Sequence, residues 1–247
     1  MKASHLATAI PAALAFCFAI GGVVGTISSV KAAPAAVSVK GTVKLQGTAP
    51  KGTHIDMSAD PKCAQIHPTG AISEDVTTDG SGGLQNVVVY ISQGLGDAKF
   101  DPPQQPIELE QKGCQYKPHV IALRANQPIN VVNSDPTSHN IHPAPTNNRE
   151  MNQSQPPGVP LSLTFAREEI AIPVKCNIHP WMKSYIAVFK HPFFAVTGKD
   201  GSFEIPNLPP GSYTITAWHE KLGTSMEKIT VGDSEAKADF VFKSAEM

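Results

Sequence analysis

The sequence carries none of the familiar signatures of phosphoryl transfer or hydrolysis: no P-loop, no nucleophile elbow, no HExxH pair and no paired-carboxylate motif. The chain is accordingly read as a non-enzyme. It also has no surplus of charge. With 20 Lys+Arg against 21 Asp+Glu and a formal net charge of -1, it offers no basic field to neutralise phosphates, so no nucleic-acid partner is expected. No second long apolar run follows the first, which begins at Leu6 and reaches Val30. Lys2 and His5 precede that run and Val30-Lys31-Ala32 closes it, the order of an export signal. Residues 1–32 are therefore read as a cleaved leader and the mature chain as periplasmic or secreted. Left uncleaved, the run is long enough to anchor the protein in a bilayer, the one membrane association expected. Leu14-Ala15-Phe16-Cys17 has the outline of a lipoprotein box, but Phe16 is too large for the position before the cysteine.

Sustained helical periodicity is missing as well. Pro 22 and Gly 19 punctuate short β-branched runs, the pattern of many short strands joined by turns, and the fold class is read as all-β. Cysteine is scarce. Of 4 cysteines, Cys17 falls in the leader, which leaves Cys63, Cys114 and Cys176 in a compartment that permits disulfides. The economical pairing joins Cys63 to Cys114 and leaves Cys176 as a thiolate. A zinc site built from Cys63, His67, Cys114 and His119 is the alternative, without the paired CxxC that such sites favour.

What is present is concentrated in Cys176-Asn177-Ile178-His179-Pro180-Trp181-Met182. A thiolate, an imidazole and a thioether within seven residues of loop are the donor types of a blue-copper site, where Cys and two His lie close and Met is a weak axial ligand. The second imidazole must come from elsewhere. His139 follows the apolar run Ile129, Val131, Val132 at the point where a strand ends. His142 competes with it, but residues three apart on an extended segment face opposite sides, so only one of them reaches the metal.

Pro128-Ile129-Asn130-Val131-Val132-Asn133 leading to His139-Asn140, followed by Cys-x2-His-x2-Met, resembles a cupredoxin, and the short ligand loop is most similar to that of amicyanin. Ser162-Leu163-Thr164-Phe165 fits the same family. The resemblance implies a Greek-key sandwich over residues 100–190 holding one copper ion on His139, Cys176, His179 and Met182. It further implies that Asn140 braces the ligand loop through hydrogen bonds. Pro180 and Trp181 would then shield the metal and leave His179 near the surface as an electron port. Residues 98–106 read as a linker, and residues 143–160 as a polar excursion beside the site. His54, His67, His119 and His191 lack ligand spacing, and Trp218-His219-Glu220 reads as a turn or a contact between domains.

Phe194 to Ala217, with Asp200-Gly201 as a hairpin turn and Leu208-Pro209-Pro210-Gly211-Ser212-Tyr213 as a corner, resembles the transthyretin-like regulatory module of carboxypeptidases. The module's opening strands match residues 41–45 and 86–91, far upstream. This implies a second sandwich split into residues 37–95 and 191–247, with the copper domain inserted. The alternative is a head-to-tail order with one enlarged cupredoxin over residues 37–190. The expected function is single-electron transfer by an exported copper protein, with a c-type cytochrome or a dehydrogenase as partner. Periplasmic copper delivery or storage, and a non-catalytic cell-envelope module, are the rival readings.

Overall fold

The computed structural model describes residues 37–244. The leader expected over residues 1–32, its alternative as a retained anchor, and Cys17 all lie outside the described residues. No helix among those described is long and apolar enough to cross a membrane.

The described chain opens on β1 (Val37–Gln46), whose alternation turns Val39, Val43 and Leu45 inward. A turn-rich segment follows with β2 (His54–Ile55), α1 (Pro61–Ile66) and β3 (Ala71–Ile72), and then β4 (Val88–Gln93). Next come β5 (Ile107–Gln111), β6 (Tyr116–Lys117), β7 (Val120–Arg124), β8 (Ile129–Asn133) and β9 (His139–Pro143). They lead to β10 (Gln153–Gln155), β11 (Leu161–Leu163), β12 (Glu169–Lys175) and β13 (Lys183–Phe189). The chain closes through β14 (Phe194–Val196), β15 (Ser202–Leu208), β16 (Gly211–His219), β17 (Gly223–Val231), β18 (Ala236–Lys237) and β19 (Phe240–Lys243). The fold is all-β apart from α1, the one helix among the described residues. At six residues it is too short to leave a periodic trace; it forms because the Asp60 side chain caps the N–H groups of Lys62 and Cys63 and Pro61 starts the first turn.

One core is built from both ends of the described chain. Strands β14, β4, β16 and β17 make one sheet, and β15, β1 and β18 another, with β19 also on β1. The register places Val39 opposite Ile205 and Val43 opposite Phe240, all of them buried. Gly201 turns the chain into β15 at φ 75°, and a Cβ there would come within 2.3 Å of the Val43 carbonyl. Tyr213 Oη donates to the Pro209 carbonyl at 2.9 Å and fixes the expected corner.

The second core lies between sheet β10-β9-β12-β13-β7 and sheet β11-β8-β5-β6. Leu109, Leu123, Ile129, Val131, Ile172 and Ile186 fill it, and Cys176 and Met182 join its edge. Val88, Val120, Ala187 and Phe189 form a smaller apolar cluster against Tyr90, Phe194 and Trp218. Through it the two sandwiches are joined by side chains as well as by chain connections.

Two stretches expected to be loose are held. Phe100 packs edge-on against Phe193 at 5.4 Å between ring centres, and its carbonyl accepts from Arg124 Nη2 at 2.7 Å. The excursion over residues 143–160 contains β10, which pairs Gln155 with His139. Polar sequence concealed that strand because its anchor is a buried amide: Gln155 Nε2 donates to the Val131 and Val159 carbonyls at 2.9 and 2.7 Å.

Candidate metal centre

His139 opens β9, and Cys176 follows the last residue of β12. The loop between β12 and β13 is closed by its own backbone: Cys176 N–H donates to the Met182 carbonyl at 3.3 Å, and Met182 N–H to the His179 carbonyl at 2.9 Å. Tyr116 holds both arms of the site, its hydroxyl meeting the Asn140 carbonyl and the Lys175 carbonyl.

Side chains from these two segments converge. Nδ1 of His139 stands 2.9 Å from Nδ1 of His179, and Cys176 Sγ is 3.8 Å from the latter. The ligand atoms of His139, Cys176 and His179 all lie within 4.8 Å of one another. All three residues are buried, as is Met182, which closes the loop and packs in the same apolar cluster as Cys176.

The thiol is set up as an anion. Its burial pushes the pKa up, but a hydrogen bond with His139 and backbone N–H groups of Asn140, His179 and Ile178 outweigh that and hold it at about 6. The amides of Asn140 and His179 reach Sγ at 3.2 and 3.4 Å. Burial pushes His139 down, whereas Asp135 and Cys176 raise it further, so its net shift is upward. Two imidazole nitrogens and one thiolate sulfur facing one point fit a copper ion, since soft thiolate and imidazole donors suit that metal.

The opposite edges of the imidazoles are gripped by carboxylates. Asp60 Oδ2 lies 3.0 Å from His179 Nε2, and Asp135 Oδ2 lies 2.9 Å from His139 Nε2. Burial pushes Asp60 up, but its bonds to His179, Cys63 N–H, Lys62 N–H and Thr137 hold it at about 2. Asp135 is likewise held below the ordinary carboxylate range: burial raises it, and His139 with the N–H groups of Cys114 and Gly113 more than compensates. Such partners fix the ring orientation and tautomer of a ligand histidine. Neither aspartate was singled out from sequence. The available signal is the Asp-Pro dipeptide in each, which starts α1 at Asp60 and shapes the turn after β8 at Asp135, where Asp135 N–H also bonds Asn133 Oδ1 at 3.1 Å.

His179 is not a surface port. It is 1 % exposed, because residues 54–72 fold over it, with Asp60 on its outer nitrogen and the Trp181 ring 5.1 Å from its own. Trp181 is half tied down, donating from Nε1 to the Cys114 carbonyl at 3.1 Å. Asn140 braces the loop with its backbone N–H on Cys176 Sγ, whereas its side chain turns instead to Asn152 Oδ1 at 2.9 Å. His142 faces away from the centre, its nitrogens 2.8 Å from Asn177 Oδ1 and 2.7 Å from Glu150 Oε1.

Cys63 and Cys114 form a disulfide and Cys176 is free. The zinc alternative therefore fails, for its thiols are consumed. Its histidines are engaged elsewhere: His67 Nε2 meets the Gly113 carbonyl at 2.8 Å, and His119 Nε2 meets Glu220 Oε1. Of the remaining histidines, His54 Nε2 meets the Thr69 carbonyl, and His191 Nδ1 accepts the Phe193 N–H. Trp218 packs edge-on against Tyr185, and Glu220 reaches His119 from the other sandwich.

A family model described as polysaccharide lyase family 4, domain II matches residues 187–239, a description different from the transthyretin-like module expected for residues 191–247. No curated protein matches the chain. Among solved structures it is similar to a copper-containing nitrite reductase from Thermus scotoductus SA-01, at 20% identity and a TM-score of 0.34, over 40% of this chain and 26% of that one. A purple cupredoxin from Nitrosopumilus maritimus matches at 18% identity and a TM-score of 0.30, over 34% of this chain and 99% of that one. The M98A mutant of amicyanin in its Cu(I) form matches at 16% identity and a TM-score of 0.31, over 39% of this chain and 97% of its own. The chain thus spans about a quarter of the nitrite reductase, and its solved neighbours, matched over part of its length, are cupredoxins and a copper enzyme.

Proposed function

We propose that this chain is an exported, non-enzymatic copper protein of amicyanin-like type. It would pass single electrons between periplasmic redox partners such as a dehydrogenase and a c-type cytochrome. The observation that carries the reading is the convergence of His139 Nδ1, His179 Nδ1 and the Cys176 thiolate on one buried point. His139, Cys176, His179 and Met182 would hold one copper ion, which supplies a one-electron couple when bound. The chain's own residues do the remaining work. Asp135 and Asp60 aim the imidazoles, backbone amides hold the sulfur as an anion, and the apolar wall excludes water, so the donors need not rearrange when charge changes.

In this reading residues 37–95 and 191–247 form one outer β-sandwich and residues 100–190 are the copper domain set into it. Support comes from β1 pairing with both β15 and β19 across almost the whole described sequence.

Absorption and paramagnetic resonance spectra after one equivalent of Cu(II), with Cys176→Ser alongside, test the assignment. An intense thiolate-to-copper band with narrow hyperfine splitting, lost in the variant, is expected; a colourless wild type refutes it. Burial of all four donors favours a second reading, periplasmic storage or delivery of copper. Electron exchange with a c-type cytochrome separates the two, since a storage protein exchanges slowly and surrenders its metal to an acceptor.

A further inference from the structure

Within the connection between β1 and β4, residues 54–72 lie over His179 as a flap, while the residues that follow are anchored: Asp75 pairs with Lys183 and Lys221, and Leu84 and Val87 are buried in the outer core. Met57 and Cys63 pack on Cys114 and Trp181. Around them are polar bonds: Lys62 Nζ to the Pro136 carbonyl at 2.5 Å, Thr137 Oγ1 to Asp60 Oδ2 at 3.0 Å, and His67 to the Gly113 carbonyl. Asp60 Oδ2 ties the flap to His179 Nε2 at 3.0 Å, and one further tie is covalent, Cys63 to Cys114.

That bond touches both histidines through matching relays. Cys63 N–H donates to Asp60 Oδ1 at 3.2 Å, and the same carboxylate grips His179. Cys114 N–H donates to Asp135 Oδ2 at 2.8 Å, and Gly113 N–H to Oδ1 at 2.6 Å, while that carboxylate grips His139. Each half-cystine therefore fixes the carboxylate that orients a different imidazole.

We propose that the Cys63–Cys114 disulfide is the lock of the metal centre, and that the metal is loaded before it closes. While both cysteines are thiols the flap can lift, and His179, Cys176 and Met182 become reachable. Closure joins the two sulfurs, passes two electrons and two protons to a partner disulfide that leaves as a dithiol, and draws Asp60 and Asp135 onto the rings. Both half-cystines are 0% exposed, so the lock, once set, is shielded from small thiols and metal exchange stays slow. Asp60 and Asp135 are positioning residues here. The inference takes the metal's identity from the copper reading, but the barrier it describes needs no copper.

The test uses the metal-free protein, in which Cys176 is the one free cysteine among the described residues, with labelling read on the peptide that carries it. Alkylation of Cys176 by iodoacetamide is compared between wild type, Cys63→Ser/Cys114→Ser and Asp60→Asn. The double serine variant is expected to label at least about tenfold faster, with Asp60→Asn between the two. In the copper-loaded forms, release to a chelator should rise about 10- to 100-fold in the same order. Equal labelling rates in a double variant that retains its far-ultraviolet circular dichroism overturn the proposal. Should that variant not fold, hydrogen exchange of wild type before and after phosphine reduction decides. Loss of protection across residues 54–72 on reduction supports the lock, and unchanged protection overturns it. A wild type that binds no Cu(II) sinks the copper reading while leaving the labelling comparison intact.

Discussion

Cys63 Sγ stands 3.8 Å from Nε2 of His179, a residue 116 positions away in the chain. A structural crosslink and an imidazole of the candidate metal centre are thus in contact, and a change to one is felt by the other. Removing the crosslink should therefore have a thermodynamic cost besides its effect on exchange. The bond spans 51 positions, and closing a loop of that size is worth about 4 kcal/mol in the chain-entropy model. Urea denaturation of Cys63→Ser/Cys114→Ser should show a loss of that order; a loss below about 1 kcal/mol would mean that the flap contributes little to folding.

Tyr116 offers a second handle. Its hydroxyl meets two backbone carbonyls, one on each ligand segment, and the side chain is 1% exposed. Tyr116→Phe removes the single O–H that these two carbonyls share and should cost about 1–3 kcal/mol. It should also broaden the visible band, because one of the ties between the segments that carry His139 and Cys176 is then lost, leaving the Asn140 N–H on Cys176 Sγ and the pairing of β9 with β12. An unaltered spectrum together with an unaltered melting point would contradict this role.

Acid should weaken the fold through two histidines far from the centre. His219 Nδ1 accepts the Lys221 N–H at 3.1 Å, and His191 Nδ1 accepts the Phe193 N–H at 3.2 Å, so each ring must be neutral at that nitrogen. Burial is the main cause that holds each pKa down to about 4 from an ordinary value of 6.5. Between those values the unfolded chain binds more protons than the folded one. Stability therefore falls as pH drops from about 6.5 toward 4 and levels off below, by roughly 3 kcal/mol for His219. His219→Gln keeps an acceptor but does not titrate, and its stability should vary less across that window. A slope equal to wild type would show that His219 is not the sensor.

Gly201→Ala probes the outer sandwich alone. Its φ of 75° and the 2.3 Å approach of a Cβ to the Val43 carbonyl leave no room for relaxation by a side chain. The substitution should cost about 1–3 kcal/mol with the copper spectrum unchanged. A shifted spectrum would indicate that strain at this turn reaches the ligand loop.

Much of the centre was readable from donor chemistry. Cys176, His179 and Met182 share one loop, and His139 opens the strand beside it, so residue type and local spacing brought them into view. The carboxylates escaped because their role depends on contacts between distant segments. Asp-Pro alone is not diagnostic, since Asp101-Pro102 has the same form within the stretch that Phe100 pins. The expected port at His179 failed for the same reason: a loop sequence states which donors are near one another and says nothing of what another segment lays over them. Strand β10 was hidden by composition, for its buried residue is Gln155 where periodicity looks for an apolar one.

The flap's origin has a consequence for descent. It belongs to the connection between β1 and β4, whereas the histidines it covers lie beyond β8. A recombination breakpoint near residue 100 would separate Asp60 and Cys63 from the rings and the half-cystine they serve. The donated half would arrive with an unpaired Cys114 and an uncovered His179. Lineages that exchange one half for a foreign copy would thus lose the fit between cover and site, and the two halves are expected to be inherited as one hereditary unit.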